Sequence, residues 1–230
     1  MQDVKLSKIL REARQTQLAL AQRVRIVTLE RRPRFVAGVD AAFSGTRVIG
    51  SACLFAYVDP SQEYPGAIKN KVDETSVVQE VEFPYVPGFL SFREAPVIIS
   101  AIRQLEPPPD LIIVDGQGIA HPRRIGIASH IGVLLDIPAI GCAKSRLIGT
   151  HLEPGPRKGQ WQFLYDKEQQ IGAVLRSRDN VRPLYISPGH LIDINGCLDV
   201  ILHTTTRYRL PEPVRCAHNL SAQNKQLLIC

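Results

Sequence analysis

A chain of 230 residues, 44% hydrophobic and 22% charged, has the balance of an ordinary globular protein and is long enough to fold without a disulfide or zinc staple. Lys and Arg outnumber Asp and Glu by 28 to 22, and this formal charge of +6 favours a polyanionic partner, since each cation set on a phosphate releases a counterion. Five scattered cysteines with no C-x-x-C pair argue against a zinc ribbon or thioredoxin-type site, and no run approaches the ~20 apolar residues that span a membrane.

At the N-terminus, Leu6, Ile9, Leu10, Ala13, Leu20, Ala21 and Val24 recur at helical spacing with charges between them. This stretch lacks the uninterrupted apolar core of a signal peptide, and a cytoplasmic location is expected. An Arg-rich segment follows, and Pro33 stops further helix. VAGVDAAF (36–43) and RVIGSACLFAYVD (47–59), joined by Ser44-Gly45-Thr46, read as an antiparallel hairpin. A polar loop through Pro60–Lys71 leads to a third strand in TSVVQEVEF.

Ser91 reads as the N-cap of a helix running to Leu105, with Glu94 its capping-box partner. LIIVDG (111–116) is a continuous apolar run that suits a buried parallel strand. A helix from about Arg124 to Asp136 and the strand PAIGCA come next. Further strands are expected near 161–166, 171–178 and 184–186, then a helix near 189–200 and a last one after Pro211. Hairpin followed by strand–helix–strand predicts a mixed sheet with helices on its faces, an α/β fold in one domain. Within it, 1–34 is an N-terminal helix and basic lead-in, 35–218 the motif-bearing core, and 219–230 a helix end with no further role. Cys53, Cys142 and Cys197, among apolar neighbours, read as small core residues in a reduced chain.

Asp40 and Asp115 each end an apolar strand, where an acid is costly unless something positive sits beside it. Ligand sites of open α/β sheets lie just beyond such strand ends. The two carboxylates, with Glu94 as a third, suggest a hard-cation site for Mg²⁺ or Mn²⁺. Taken alone, each acid reads first as a cap or turn residue. Tyr85, between Pro84 and Pro87, is an aromatic on a stiff turn; it suits stacking on a base or wedging a duplex step, or else packing under a loop. Gly116 and Gly118 allow a ligand close to the backbone. His121, Arg123 and Arg124 could hold phosphates, or form a solvated face with structural histidines. Lys144, after PAIGCA, could neutralise a transition-state phosphate. His218, at the edge of the last helix's packed face, could position water or shuttle a proton, although a lone histidine there is usually structural.

In VAGVDAAF, PYVPGFLSFREAP, LIIVDGQGIAHPRRIGIASHIG, IPAIGCAKSRLIG, ISPGHLID and RLPEPVRCAH, spread over about residues 35–218, the sequence resembles the endonuclease V family, the deoxyinosine 3′-endonucleases. The resemblance implies an RNase H-like mixed central sheet flanked by helices. It also implies Mg²⁺-dependent hydrolysis of the second phosphodiester 3′ to a hypoxanthine base, leaving 3′-hydroxyl and 5′-phosphate ends, with Mn²⁺ as a substitute ion. Carried over by motif, Asp40, Glu94 and Asp115 would form the metal centre, with His218 organising water. Tyr85 would belong to the wedge. Gly88, Leu90, Gly116 and Leu147 would shape the base pocket, and Arg93, His121 and Lys144 would contact the strand or reacting phosphate. Two departures stand out: Gln117 where His is common in bacterial members, and Ser145 where a second Lys is usual.

The expected partner is deoxyinosine-containing DNA, with inosine-containing RNA, flaps or mismatches as rival substrates and a non-catalytic lesion-binding adaptor as a rival of another class. No membrane and no protein partner is called for, and nothing requires more than a monomer. Phosphate-loop and dinucleotide fingerprints are absent.

Overall fold

A computed structural model describes residues 2–57 and 68–228. Their strands form an eight-stranded sheet. β1 (Phe35–Ser44), β2 (Arg47–Tyr57) and β3 (Ile68–Glu80) make an antiparallel meander, and β4 (Leu111–Val114) and β5 (Ala139–Ala143) run parallel to β1. β6 (Trp161–Asp166), β7 (Gln169–Leu175) and β8 (Leu184–His190) complete it antiparallel, in the spatial order β3-β2-β1-β4-β5-β8-β7-β6. The helices among the described residues are α1 (Gln2–Ala21), α2 (Ser91–Ile102), α3 (Ile127–Leu135), α4 (Ile194–Thr204) and α5 (Glu212–Leu227). This is the mixed α/β architecture expected from the order of periodicities.

Alternation along the central strands sorts two cores. Ala37, Val39, Ile112 and Val114 turn to one face and pack with Val97, Ile98 and Ile131 of α2 and α3. Val36, Leu111, Ile113 and Ile140 turn to the other and pack with Leu198, Ile201 and Val214 of α4 and α5. Both faces of β4 are covered, which is why LIIV carries no polar alternation.

Several expected boundaries move. β3 begins at Ile68, inside the segment read as polar loop, because its register with β2 continues past Thr75 to Lys71 and Ile68. Residues 58–67, including the expected end of the second strand, lie outside the described residues. α3 begins at Ile127 instead of Arg124, since Arg124 holds φ 56°, a left-handed conformation no helix continues through. β8 extends to His190, and the helix expected near 189–200 starts only at Ile194, capped by the Asp193 carboxylate accepting from the Gly196 N–H at 2.7 Å. No described helix is long and apolar enough to cross a membrane.

The capping-box reading of α2 does not hold. Ser91 is the first helical residue, and Leu90 precedes it in helical geometry with no side-chain cap. The Ser91 hydroxyl lies instead 2.9 Å from His130 Nδ1, joining α2 to α3. Glu94 is thereby released from any cap.

Candidate active site

The β1–β4 register sets the site. Val39 pairs with Val114, so Asp40 and Asp115 are the next residues along two parallel neighbours. Because Val39 and Val114 face α2 and α3, the acids that follow them turn to the opposite face, toward α5. His218 Nδ1 lies 2.9 Å from Asp40 Oδ2, and the Ser221 hydroxyl donates to the same oxygen at 3.0 Å. A carboxylate only accepts, so His218 donates its Nδ1–H in this contact. One ligand atom from each of Asp40, Asp115 and His218 falls within 4.8 Å of the others. α5 comes this close because Gly38 has no side chain: a Cβ there would lie 2.0 Å from the Pro213 carbonyl carbon.

Glu94 reaches the same cluster from α2 but stands outside that triad. Its carboxyl is pushed up to about 8, first by burial and then by the charges of Asp40 and Asp115, with Arg93 offsetting part of this. Burial also raises Asp115, against the pull of Lys144. The Lys144 ammonium, just past the end of β5, donates to Asp115 Oδ2. Arg209 fixes the base of that lysine by donating to the Lys144 carbonyl at 3.0 Å and the Pro183 carbonyl at 2.7 Å. Three neighbouring carboxyls, two of them held above their ordinary values, with the Lys144 ammonium beside one, form a donor set suited to a divalent hard cation.

A cavity of about 450 Å³ opens beside Asp115, lined by Tyr85, Gly88, Leu90, Gly116, His121, Lys144 and Leu147 among others. Of the substrate residues carried over by motif, Arg93 alone does not line it. Arg93 sits instead between rings, its guanidinium 4.7 Å from the Phe43 centroid and 5.7 Å from that of Tyr85. Tyr85 is 73% exposed, at the cavity mouth. His121 is buried, and burial followed by the Arg123 charge lowers its imidazole to about 4, so the ring is neutral at pH 7.

Two arginines read as phosphate holders are engaged inside the protein. Arg123 donates to the Gly88 carbonyl at 2.6 Å and to Gln17 Oε1, with its guanidinium 4.4 Å from the Phe89 centroid. Arg124 donates to Asp166 at 2.7 Å and to Gln169 at 2.9 Å. The two departures from the family pattern meet each other, the Gln117 amide donating to the Ser145 carbonyl at 3.0 Å.

Sequence reading missed three supporting residues. Gln17, fully buried, donates to the Gly88 carbonyl at 3.0 Å. It shares the inward face of α1 with buried Ala13 and Leu20, and a polar residue on an apolar stripe was its signal. Ser221 follows His218 by one helical turn, so the stretch after Asn219 does more than finish a helix: Ser221 reaches Asp40, and Asn224 donates to the Ser76 hydroxyl at 2.9 Å. Arg209 carries no signal in the sequence.

A family model for Endonuclease V matches residues 18–219. An Endonuclease V of Geotalea uraniireducens is 48% identical over 220 residues, covering 96% of this chain and 90% of the relative. The crystal structure of the Endonuclease V of Streptomyces avermitilis matches with a TM-score of 0.86 at 36% identity, over 96% of this chain and 94% of that one. That of Ciona intestinalis, solved with a 24mer DNA containing an inosine followed by a ribo-adenosine, shares the fold at a TM-score of 0.80 and 20% identity, over 96% and 99% of the two chains. With its acids paired across two parallel strands above a small cavity, and a match that runs over most of its length, the chain belongs to the Endonuclease V family and is an endonuclease.

Proposed function

We propose that the protein is a DNA-repair enzyme that nicks DNA at deoxyinosine, hydrolysing the second phosphodiester 3′ to the deaminated base in a Mg²⁺-dependent reaction that leaves 3′-hydroxyl and 5′-phosphate ends. The observation that carries this is the adjacency of the Asp40–Asp115 pair to a base-sized cavity with an exposed aromatic at its mouth. The relative of Ciona intestinalis with its inosine-containing DNA supports the substrate class.

Asp40, Asp115 and Glu94 would hold the ion, with Mn²⁺ as a substitute. Bound there, the ion supplies charge neutralisation at the phosphate and a more acidic water. His218, with its Nδ1 proton spent on Asp40, presents Nε2 to orient or accept a proton from the attacking water. Ser221 holds Asp40 in place. Lys144 shields Asp115 until substrate arrives and then offers its charge to the scissile phosphate.

Extrusion of a weakly paired base gives part of the selectivity. The rest falls to the cavity, at about 450 Å³ within the ~300–1,000 Å³ usual for small-ligand sites. Gly88, Leu90, Gly116 and Leu147 shape it, and backbone groups around Gly88 and Gly116 read the purine edge. Tyr85 fills the vacated step of the duplex, braced by Arg93. His121, neutral and buried, serves as a wall of the pocket and not as a phosphate cation. The protein acts as a cytoplasmic monomer on DNA.

The test is nicking of a duplex with one labelled deoxyinosine-containing strand, in Mg²⁺ or EDTA. The expected result is a Mg²⁺-dependent cut at the second phosphodiester 3′ to inosine, reduced at least ~10³-fold in Asp40→Ala. Tight lesion binding with no cut in Mg²⁺ or Mn²⁺ would establish an adaptor instead. A preference for the matched inosine RNA would move the substrate to RNA.

A further inference from the structure

Cys53, Glu74 and Cys216 converge from three elements on the α5 side of the sheet. Cys53 of β2 pairs directly across the ladder with Glu74 of β3, and Cys216 comes down on them from α5. One ligand atom from each lies within 4.8 Å of the other two, and Cys53 Sγ stands 3.8 Å from Glu74 Oε2. A tetrahedral zinc ion with sulfur at ~2.3 Å and oxygen at ~2.0 Å needs ligand-to-ligand edges of about 3.5–3.8 Å. The cluster is therefore within a small side-chain adjustment of a metal cage, before any ion is present.

Cys53 is fully buried, Cys216 half-buried and Glu74 exposed, so the three donors line a path from solvent inward. Both cysteines are free thiols. Lys71 Nζ sits 2.8 Å from Glu74 Oε2, on the solvent side, where it stands in for the positive charge an ion would bring. The chemistry differs from that of the proposed active site. Carboxylates beside one imidazole suit a hard cation, whereas two sulfurs and one oxygen select a thiophilic one.

We propose that Cys53, Glu74 and Cys216 form a second metal site, for Zn²⁺, completed by one water. Binding releases the two thiol protons to solvent as two sulfur–zinc bonds form, and Lys71 gives up Glu74. The ion ties α5 to β2 and β3. Since His218 and Ser221 of that helix hold Asp40, the site fixes the helix that orients the catalytic carboxylate.

The test titrates Co²⁺, a spectroscopic stand-in for Zn²⁺, into the reduced full-length protein with excess Mg²⁺ covering the carboxylate centre. One equivalent should bind with a thiolate-to-cobalt charge-transfer band in the near ultraviolet, and one equivalent of Zn²⁺ should abolish the band. The band should survive in Asp40→Asn, vanish in Cys216→Ser, and require at least about tenfold more Co²⁺ in Glu74→Gln. Cys216 is half-buried and Glu74 exposed, so both variants should fold, and circular dichroism checks that they do. Absence of a thiolate band, its persistence in Cys216→Ser, or a Cys53–Cys216 disulfide in the isolated protein in place of metal binding would overturn the proposal.

Discussion

Burial and the charges of Asp40 and Asp115 keep the Glu94 carboxyl protonated up to about pH 8 in metal-free protein, against an ordinary value of 4.5. The folded state then holds a proton that the unfolded state has released between those two values. Stability contributed by Glu94 is complete below pH 4.5 and is lost as pH rises through 8, up to roughly 5 kcal/mol. In EDTA, the melting temperature of wild type should therefore fall more steeply from pH 5 to pH 9 than that of Glu94→Gln; parallel curves would show that Glu94 ionises normally. Tyr85 poses the opposite case. With its ring 73% exposed, Tyr85→Ala should change stability by no more than ~0.5 kcal/mol. It should nevertheless weaken binding of an inosine duplex by about 1–3 kcal/mol in a fluorescence anisotropy titration, the usual worth of a stacked base. Asp40, Asp115 and Tyr85 were legible because each breaks its local pattern: an acid after apolar strand residues, an aromatic between prolines. Ser221 was not legible, since a serine on a surface helix breaks nothing and its bond to Asp40 spans 181 positions.

At the scale of elements, the contact of α5 with β1 is the most exacting in the site. A Cβ on Gly38 would meet the Pro213 carbonyl carbon at 2.0 Å and the Val214 nitrogen at 2.2 Å, both backbone atoms that cannot rotate away. Gly38→Val should cost more than ~3 kcal/mol in urea unfolding, with loss of nicking, because α5 must lift and take His218 from Asp40. Gly45→Ala is the control: at φ 58° with nothing within 4 Å of its added Cβ, it should cost only ~1–2 kcal/mol and spare activity. Element types came through in sequence where period and length agreed, as in the hairpin and LIIV. Ends failed where tertiary contacts decided them. Ser91 looked like a cap by its type and its spacing to Glu94, yet a buried histidine on α3 claimed its hydroxyl. The β8 strand runs on past 186 to His190, where Pro188 pairs with Ile140 and His190 with Ala139 across a register shift at Gly189.

Over the whole molecule, the order of strands was not legible, because pairings such as β5 with β8 join segments more than forty residues apart and leave no local trace. Net charge favoured a polyanionic partner, but it did not show which arginines would face one; Arg123 and Arg124 spend theirs on Gly88 and Asp166. The Gly88 carbonyl carries a consequence for fidelity. It is gripped from two sides, by Arg123 and by Gln17 of the N-terminal helix. If the base is read by the backbone at that point, discrimination between damaged and normal bases is braced by a helix that does no chemistry. Gln17→Ala should then leave the turnover of inosine strands within about twofold while undamaged duplex is cut several-fold faster, a loss of judgement without a loss of power; unchanged cutting of normal DNA would place the brace elsewhere.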